Sequence, residues 1–250
     1  MGLNYATWFF DYSFKKLKGI RRNFIFTPEL VAKPKGKKVL VLSPHFDDEI
    51  LGCGGTLKKH IISGDDILVV YLTDGSQGNP EIKDKKKLFE IRSKESKKAI
   101  EFLGIKRRIY LREPEGNSKI GIISLKKLEK IIFDFKPDLI YIPWMLDNHI
   151  DHRKFNKMLE IIYRKRKFKC MIGAYEIWTP LLFNTIVDIT KEMKDKKIAM
   201  DFFKSQLKHV KYDRVFEGLN KYRAGYNIGG KGYAEAFLVL PIRNYLKLMK

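Results

Sequence analysis

Residues 38–75 read KVLVLSPHFDDEILGCGGTLKKHIISGDDILVVYLTDG. Two runs rich in valine, isoleucine and leucine, "KVLVL" at 38–42 and "DDILVVYLTDG" at 65–75, flank "EILGCGGTLKKHIISG" at 49–64, which predicts a helix ending at Gly64. Neither run alternates polar with apolar residues, so each predicts a strand buried on both faces, as in a parallel sheet covered by helices. Strand, helix and strand in this order make a βαβ unit.

The same alternation continues outward. Residues 83–103 are helical in pattern and "RRIYL" at 107–111 is a short strand. "SLKKLEKIIFDF" at 124–135 predicts a helix opened by Ser124 as N-cap and stopped before Pro137, and "DLIYIP" at 138–143 a strand. "RKFNKMLEIIYRKR" at 153–166 adds a helix and "CMIGAYEIW" at 170–178 a strand. Repeated crossovers of this kind predict a Rossmann-like, doubly wound α/β domain of three layers with a mainly parallel central sheet, spanning residues 38–250. Ahead of it, residues 1–37 form a basic, aromatic N-terminal segment carrying Trp8, Phe9, Phe10, Tyr12 and Phe14 among lysines and arginines. That segment reads either as a helix packed on the domain or in a dimer contact, or as an amphipathic helix on an anionic membrane surface.

In sheets of this class, ligands sit beyond the carboxyl ends of the strands. Three polar stretches fall there: "SPHFDDE" at 43–49, "TDGSQG" at 73–78 and "PWMLDNHIDH" at 143–152. Three adjacent acids at the end of a buried strand repel one another and lose hydration that only a cation or hydrogen-bond donors replace. The chain has five histidines, and His45, His149 and His152 lie in two of these loops. The two cysteines, Cys53 and Cys170, stand far apart, so a metal would have to be held by imidazole and carboxylate. His45, Asp48 and His152 suffice for a tetrahedral Zn2+ site, or that of another divalent metal, with one position left open. Asp47 is placed to act as general base, and His149 to polarise a carbonyl or stabilise an oxyanion. Asp147 or Asp151 would orient the imidazoles, and Glu49 starts the helix or helps to orient a ligand.

Around these, Asp74, Gly75 and Gly78 are candidates to line a substrate site. Arg92 is a candidate for a substrate hydroxyl or phosphate, or else forms a structural salt bridge with an acid such as Asp74 or Glu95. Tyr175 and Trp178 are candidates to stack on a substrate ring, with core packing as the alternative for Trp178. Cys53, beside Gly52 and Gly54, reads as a packing residue, and "GGKG" at 229–232 as a flexible loop near the mouth.

"SPHFDDEILGCGGTL" resembles the Pro/Ala-His-Pro-Asp-Asp-Glu signature of the PIG-L/LmbE-like de-N-acetylases, and "DNHIDH" resembles their second metal motif. "LTDGSQG", "IRSKESKKAIEFLGI", "AYEIWTP", "VDIT", "FKSQ" and "YAEAF" follow in the order such a protein would have, so that the resemblance covers residues 38–240. It implies a zinc-dependent hydrolase that removes acetyl from an N-acetylglucosamine-type amide of a sugar or glycolipid. His45, Asp48 and His152 would be the ligands, Asp47 the base and His149 the residue at the carbonyl. Phe46 departs from the signature, where proline is usual; it either loosens the turn or adds an apolar wall.

The 50 lysines and arginines against 29 aspartates and glutamates give a formal charge of +21. That surplus suits an anionic membrane, a phosphorylated substrate or nucleic acid. The lysines of "KDKKKLFEIRSKESKK" and "KEMKDKKIAMDFFKSQLKHVK" are interleaved with acids, however, as on ordinary solvated helix faces, and nucleic-acid-binding motifs are missing. A basic nucleic-acid-binding protein, or a non-catalytic carbohydrate-binding protein of the same fold, are the alternative functions. No secretory signal or apolar run of about 18 residues stands out, which predicts a cytoplasmic protein, and a homo-oligomer is compatible with the sequence.

Overall fold

The computed structural model describes residues 28–249. The aromatic cluster Trp8–Phe14 and the helix expected there lie outside the described residues. In chain order the elements are β1 (Glu29–Val31), β2 (Lys38–Ser43), α1 (Asp48–Ile62), β3 (Asp66–Thr73), α2 (Lys85–Leu103), β4 (Arg107–Glu113), α3 (Ile122–Phe135), β5 (Leu139–Pro143), α4 (Ile150–Lys165), β6 (Met171–Tyr175), β7 (Thr185–Asp188), α5 (Met193–Met200), α6 (Lys204–Leu207), α7 (Tyr212–Asn227), β8 (Ala234–Pro241) and α8 (Ile242–Lys247).

The strands form one sheet in the order β1-β7-β8-β6-β5-β2-β3-β4. Every pairing is parallel except those of β8 with β6 and β7. The apolar runs behave as expected of doubly covered strands. Val39 and Val41 of β2 pack on one face with Ile50 and Leu57 of α1 and Ile100 of α2. Leu40 and Leu42 face the other way, against Leu128 of α3 and Phe155 and Leu159 of α4. Three layers follow.

Several local expectations are corrected. Residues 28–31 are not part of a separate N-terminal segment; β1 joins the sheet edge by pairing with β7. The helix expected to start at Ser124 begins at Ile122 with Gly121 in the cap position, and the buried Ser124 hydroxyl faces Leu111 O instead. The strand expected over 170–178 stops at Tyr175, so Glu176 and Trp178 lie on a loop. The lysine-rich stretch 191–211 is not one solvated helix face. It breaks into α5 and α6, and Lys196 is completely buried in an ion pair with Glu235. No pattern of spacing announces such a pair, because its partner arrives from a distant strand.

The chain runs outward from β2 through β3 to β4, then returns past β2 to build β5 and β6 on its other side. Neighbouring strands β2 and β5, paired at Val41 and Tyr141, therefore send their following helices to opposite faces of the sheet. This switch point opens a crevice between the loop after β2 and the loop after β5.

Candidate functional site

The loop after β2 enters α1 at Asp47, which occupies the N-cap position but makes no capping bond with its side chain. A carboxylate there usually accepts a backbone N–H. Here it is left to face a cavity of about 220 Å³, which it lines together with His45, Asp48, Glu115, Arg92, His149 and others. Asp48, in the first turn of α1, turns inward: its Oδ2 accepts the His45 backbone N–H at 2.8 Å and lies 3.1 Å from His45 Nδ1.

From the other side of the switch point comes the loop after β5. The helix expected from Arg153 starts earlier, at Ile150, so His152 sits on its first turn and His149 caps it by accepting the Asp151 N–H through Nδ1. Asp147 fixes this loop. Its Oδ1 accepts the His149 N–H and lies 3.0 Å from His152 Nδ1, while Oδ2 accepts the N–H groups of Trp178 and Thr179. That leaves His152 Nε2 pointing at 3.3 Å to both His45 Nδ1 and Asp48 Oδ2. Residues 45, 48 and 152, expected to converge, thus form a triangle of donor atoms with sides of 3.1, 3.3 and 3.3 Å. Two bonds of about 2.0–2.1 Å at a tetrahedral angle span ~3.3–3.4 Å, so the donor set fits a zinc-sized ion. One nitrogen each of His45, His149 and His152 also lie within 4.8 Å of one another. The set with Asp48 is tighter, and Nδ1 of His149 is already engaged.

The electrostatics point the same way. Burial opposes protonation of His45, but the Asp48 charge and the contacts with Asp151, Asp48 and Glu115 outweigh it and push its pKa up to about 10. His152 is likewise raised against burial, by Asp48 and Asp147. Asp48 is held well below the carboxylate range despite burial, by the His152 and His45 charges. The cluster therefore attracts positive charge, and protons supply it where no ion does. Asp47 moves the other way: burial and then the Asp48 charge raise its carboxyl above the usual range. Burial, followed by the charges on His45 and His152, lowers His149 to about 4, so its ring is neutral near pH 7. Glu49 points inward, with Tyr71 OH donating to Oε1 at 2.6 Å and Ser43 Oγ 2.8 Å from Oε2, and burial pushes it up to about 8.

The outer candidates divide. Trp178 is half exposed on the cavity rim beside Tyr212. Tyr175 is corrected: its ring is fully buried against Gly52 and its hydroxyl donates to Leu42 O, so it belongs to the core. Asp74 does not line the cavity; it accepts the N–H groups of Ser76 and Glu115 and shapes the loop. Gly78 lines the cavity, and Gly75 offers its carbonyl to Arg92 Nη1. Arg92 pairs with Glu115 at 3.2 Å, neither with Asp74 nor with Glu95, whose carboxylate binds Ser205. The 229–232 loop packs by Thr190 and contributes nothing to the cavity. Phe46 stiffens the turn by packing: it meets Tyr71, Phe89 and Tyr110 edge to face, and the Arg92 guanidinium lies 5.5 Å over its ring.

Sequence reasoning missed Glu115, 3.6 Å from His45 Nε2, although its loop follows a parallel strand and the carboxyl-end rule covers it equally. It also missed Gln206, His209, Val210 and Tyr212, which reach the cavity from the α6–α7 region. No sheet rule locates that region.

Fold and site together define an open α/β protein with a histidine–carboxylate centre at its topological switch point. Residues 40–163 match the family profile described as PIG-L, GlcNAc-PI de-N-acetylase, and the chain carries a domain of the PIG-L family. A diacetylchitobiose deacetylase of Thermococcus kodakarensis is 34% identical over 121 residues, 47% of this chain and 45% of that protein. The matched stretch thus spans less than half of that relative's length. The structure of N,N'-diacetylchitobiose deacetylase from Pyrococcus horikoshii in complex with an inhibitor superposes with a TM-score of 0.72 at 26% identity, covering 93% of each chain. A conserved protein of Thermus thermophilus gives 0.68 at 26% identity, covering 82% of this chain and 95% of its own. No helix among the described residues is long and apolar enough to cross a membrane.

Proposed function

We propose that this chain is a metal-dependent N-deacetylase that hydrolyses the acetamide of an N-acetylglucosamine-type sugar, releasing acetate and the free amine. The observation that carries the reading is the triangle of His45 Nδ1, Asp48 Oδ2 and His152 Nε2, opening on a cavity lined by Asp47 and His149. Similarity to sugar deacetylases supports the substrate class.

His45, Asp48 and His152 would hold the ion. When bound, a divalent ion such as Zn2+ polarises a carbonyl and makes a neighbouring water acidic. Asp47, with no capping bond to release, accepts the proton as the water oxygen bonds to the acetyl carbon. His149 accepts a backbone N–H at Nδ1, so its neutral ring carries the proton on Nε2. That Nε2–H donates to the carbonyl oxygen as negative charge develops there. Asp47 then returns its proton to the amide nitrogen as the C–N bond breaks. The cavity volume lies below the ~300–1,000 Å³ of sites for drug-sized ligands, which suits a single sugar ring with the remainder of the substrate beyond Trp178 and Tyr212.

The test is acetate release from N-acetylglucosamine and diacetylchitobiose by the zinc-loaded chain. A chain that binds zinc stoichiometrically yet deacetylates neither these nor other N-acetylhexosaminides refutes the reading.

A further inference from the structure

Buried acids crowd the candidate metal centre. Asp47, Asp48, Asp147 and Asp151 are all at most 5% exposed, and the Glu115 side chain stands beside them. On the cavity side Arg92 offsets part of this charge. On the protein side the offset comes from a residue in neither motif loop: Lys154, in the second turn of α4, 4% exposed. Among the described residues its Nζ makes no hydrogen bond, and it lies 3.5 Å from Glu113 Oε2 and 3.7 Å from Asp151 Oδ1, itself without a hydrogen-bond partner among them. Glu113, at the end of β4, is pinned by the Gly121 N–H. Asp151 Oδ2 accepts the Gly116 N–H at 2.8 Å and faces His45 Nε2 at 3.4 Å. Glu113, Lys154, Asp151 and His45 thus form an unbroken buried row of polar partners, each within 3.7 Å of the next. The side of His45 that the row touches is Nε2, opposite the Nδ1 that faces Asp48 and His152.

We propose that Lys154 is a positioning residue for the metal centre: its buried ammonium holds the Asp151 carboxylate against His45 Nε2, which keeps the ring proton there and Nδ1 free for the ion. Removing the ammonium leaves two buried carboxylates facing each other across its vacated place, and Asp151 relieves the repulsion by turning from His45. Imidazole ligands depend on such outer partners for their orientation and basicity, typically by 10–100-fold in metal affinity. The inference rests on the assignment of His45, Asp48 and His152 as ligands.

The test measures Zn2+ affinity of the full chain by competition with a chromophoric chelator, alongside thermal unfolding of each ion-free form. K154M is expected to bind Zn2+ about 10–100-fold more weakly than wild type, and K154R to recover most of the loss. E113Q/K154M removes both charges of one pair and so protects the fold where K154M alone fails to fold. In that double variant unfolding returns toward wild type while Zn2+ affinity stays low, because Asp151 still lacks its cation. A merely structural lysine would restore both together. Zn2+ affinities within about twofold of wild type in K154M, or in the folded double variant, overturn the inference. A wild-type chain that takes up no Zn2+ overturns the ligand assignment as well.

Discussion

At the scale of single residues, adjacent carboxylates take different orientations. Asp48 lies 3.1 Å from His45 Nδ1 and 3.3 Å from His152 Nε2, whereas Asp47 has no cap to make and faces the cavity. On the proposed mechanism D47N keeps the shape and removes the base; kcat is expected to fall by about 10²–10⁴ with zinc content unchanged, read by steady-state kinetics beside elemental analysis. On the same mechanism H149A removes a donor to the developing oxyanion, so kcat should drop by ~10²–10³ with little change in KM. A KM that rises while kcat holds would assign His149 to substrate binding instead. The place of both residues at the cavity was legible in the sequence, because short-range spacing and the ends of strands fix it. Tyr175 was misread for the opposite reason: at the last position of β6 its side chain turns into the core, to Leu42 O, which depends on a neighbouring strand.

Among the elements, α1 governs how Asp47 and Asp48 are presented. It breaks at Cys53 (φ −143°, ψ 18°), and the buried start of its second half is capped by Glu235 of β8, which accepts the Gly55 and Thr56 N–H groups at 3.0 and 2.8 Å. The break lets the helix press close to its neighbours. A Cβ at Gly52 would collide with the Tyr175 ring, and one at Gly55 would come within 2.7 Å of Ile189. Lys196 of α5 neutralises the capping carboxylate at 2.8 Å with both side chains fully buried. K196M leaves that charge without its counter-ion in the core and is expected to cost about 3–5 kcal/mol in denaturant unfolding, while K196M/E235Q costs less than the two single changes summed. Additive losses would mean that the pair is not coupled. "GCGG" was legible as a close-packing run, but the break was not, because its cap lies 179 and 180 residues away in the chain.

For the whole molecule, the site exists because the sheet reverses its winding between β2 and β5, and its stability is linked to what binds there. Ion at one hundred times its dissociation constant should stabilise the fold by ~2.7 kcal/mol, so chelation lowers the melting temperature and Zn2+ restores it. D48N should lose that response. A second linkage involves His60, buried between Asp65, 2.8 Å from Nδ1, and Tyr141 OH, 2.9 Å from Nε2. Burial is the largest influence on its ring, and it lowers the pKa from 6.5 to about 4 despite the Asp65 bond. Between those values the unfolded chain binds the proton and the folded one does not. The contribution, up to about 3 kcal/mol, is therefore complete above pH 6.5 and lost as pH falls toward 4. H60Q should flatten the pH dependence of stability in that window; an unchanged slope would refute it.

The alternation of apolar runs with helical periods determined the α/β class, the parallel core strands and the loops that carry His45, Asp47, Asp48, His149 and His152, since each depends on neighbours a few residues away. Only the tertiary structure decided the rest: β1 and β8 in the sheet, the break in α1, Glu115 and Tyr212 at the cavity, and Lys154 behind Asp151. Each of these depends on which distant segments the sheet order brings together, and local spacing does not encode that choice.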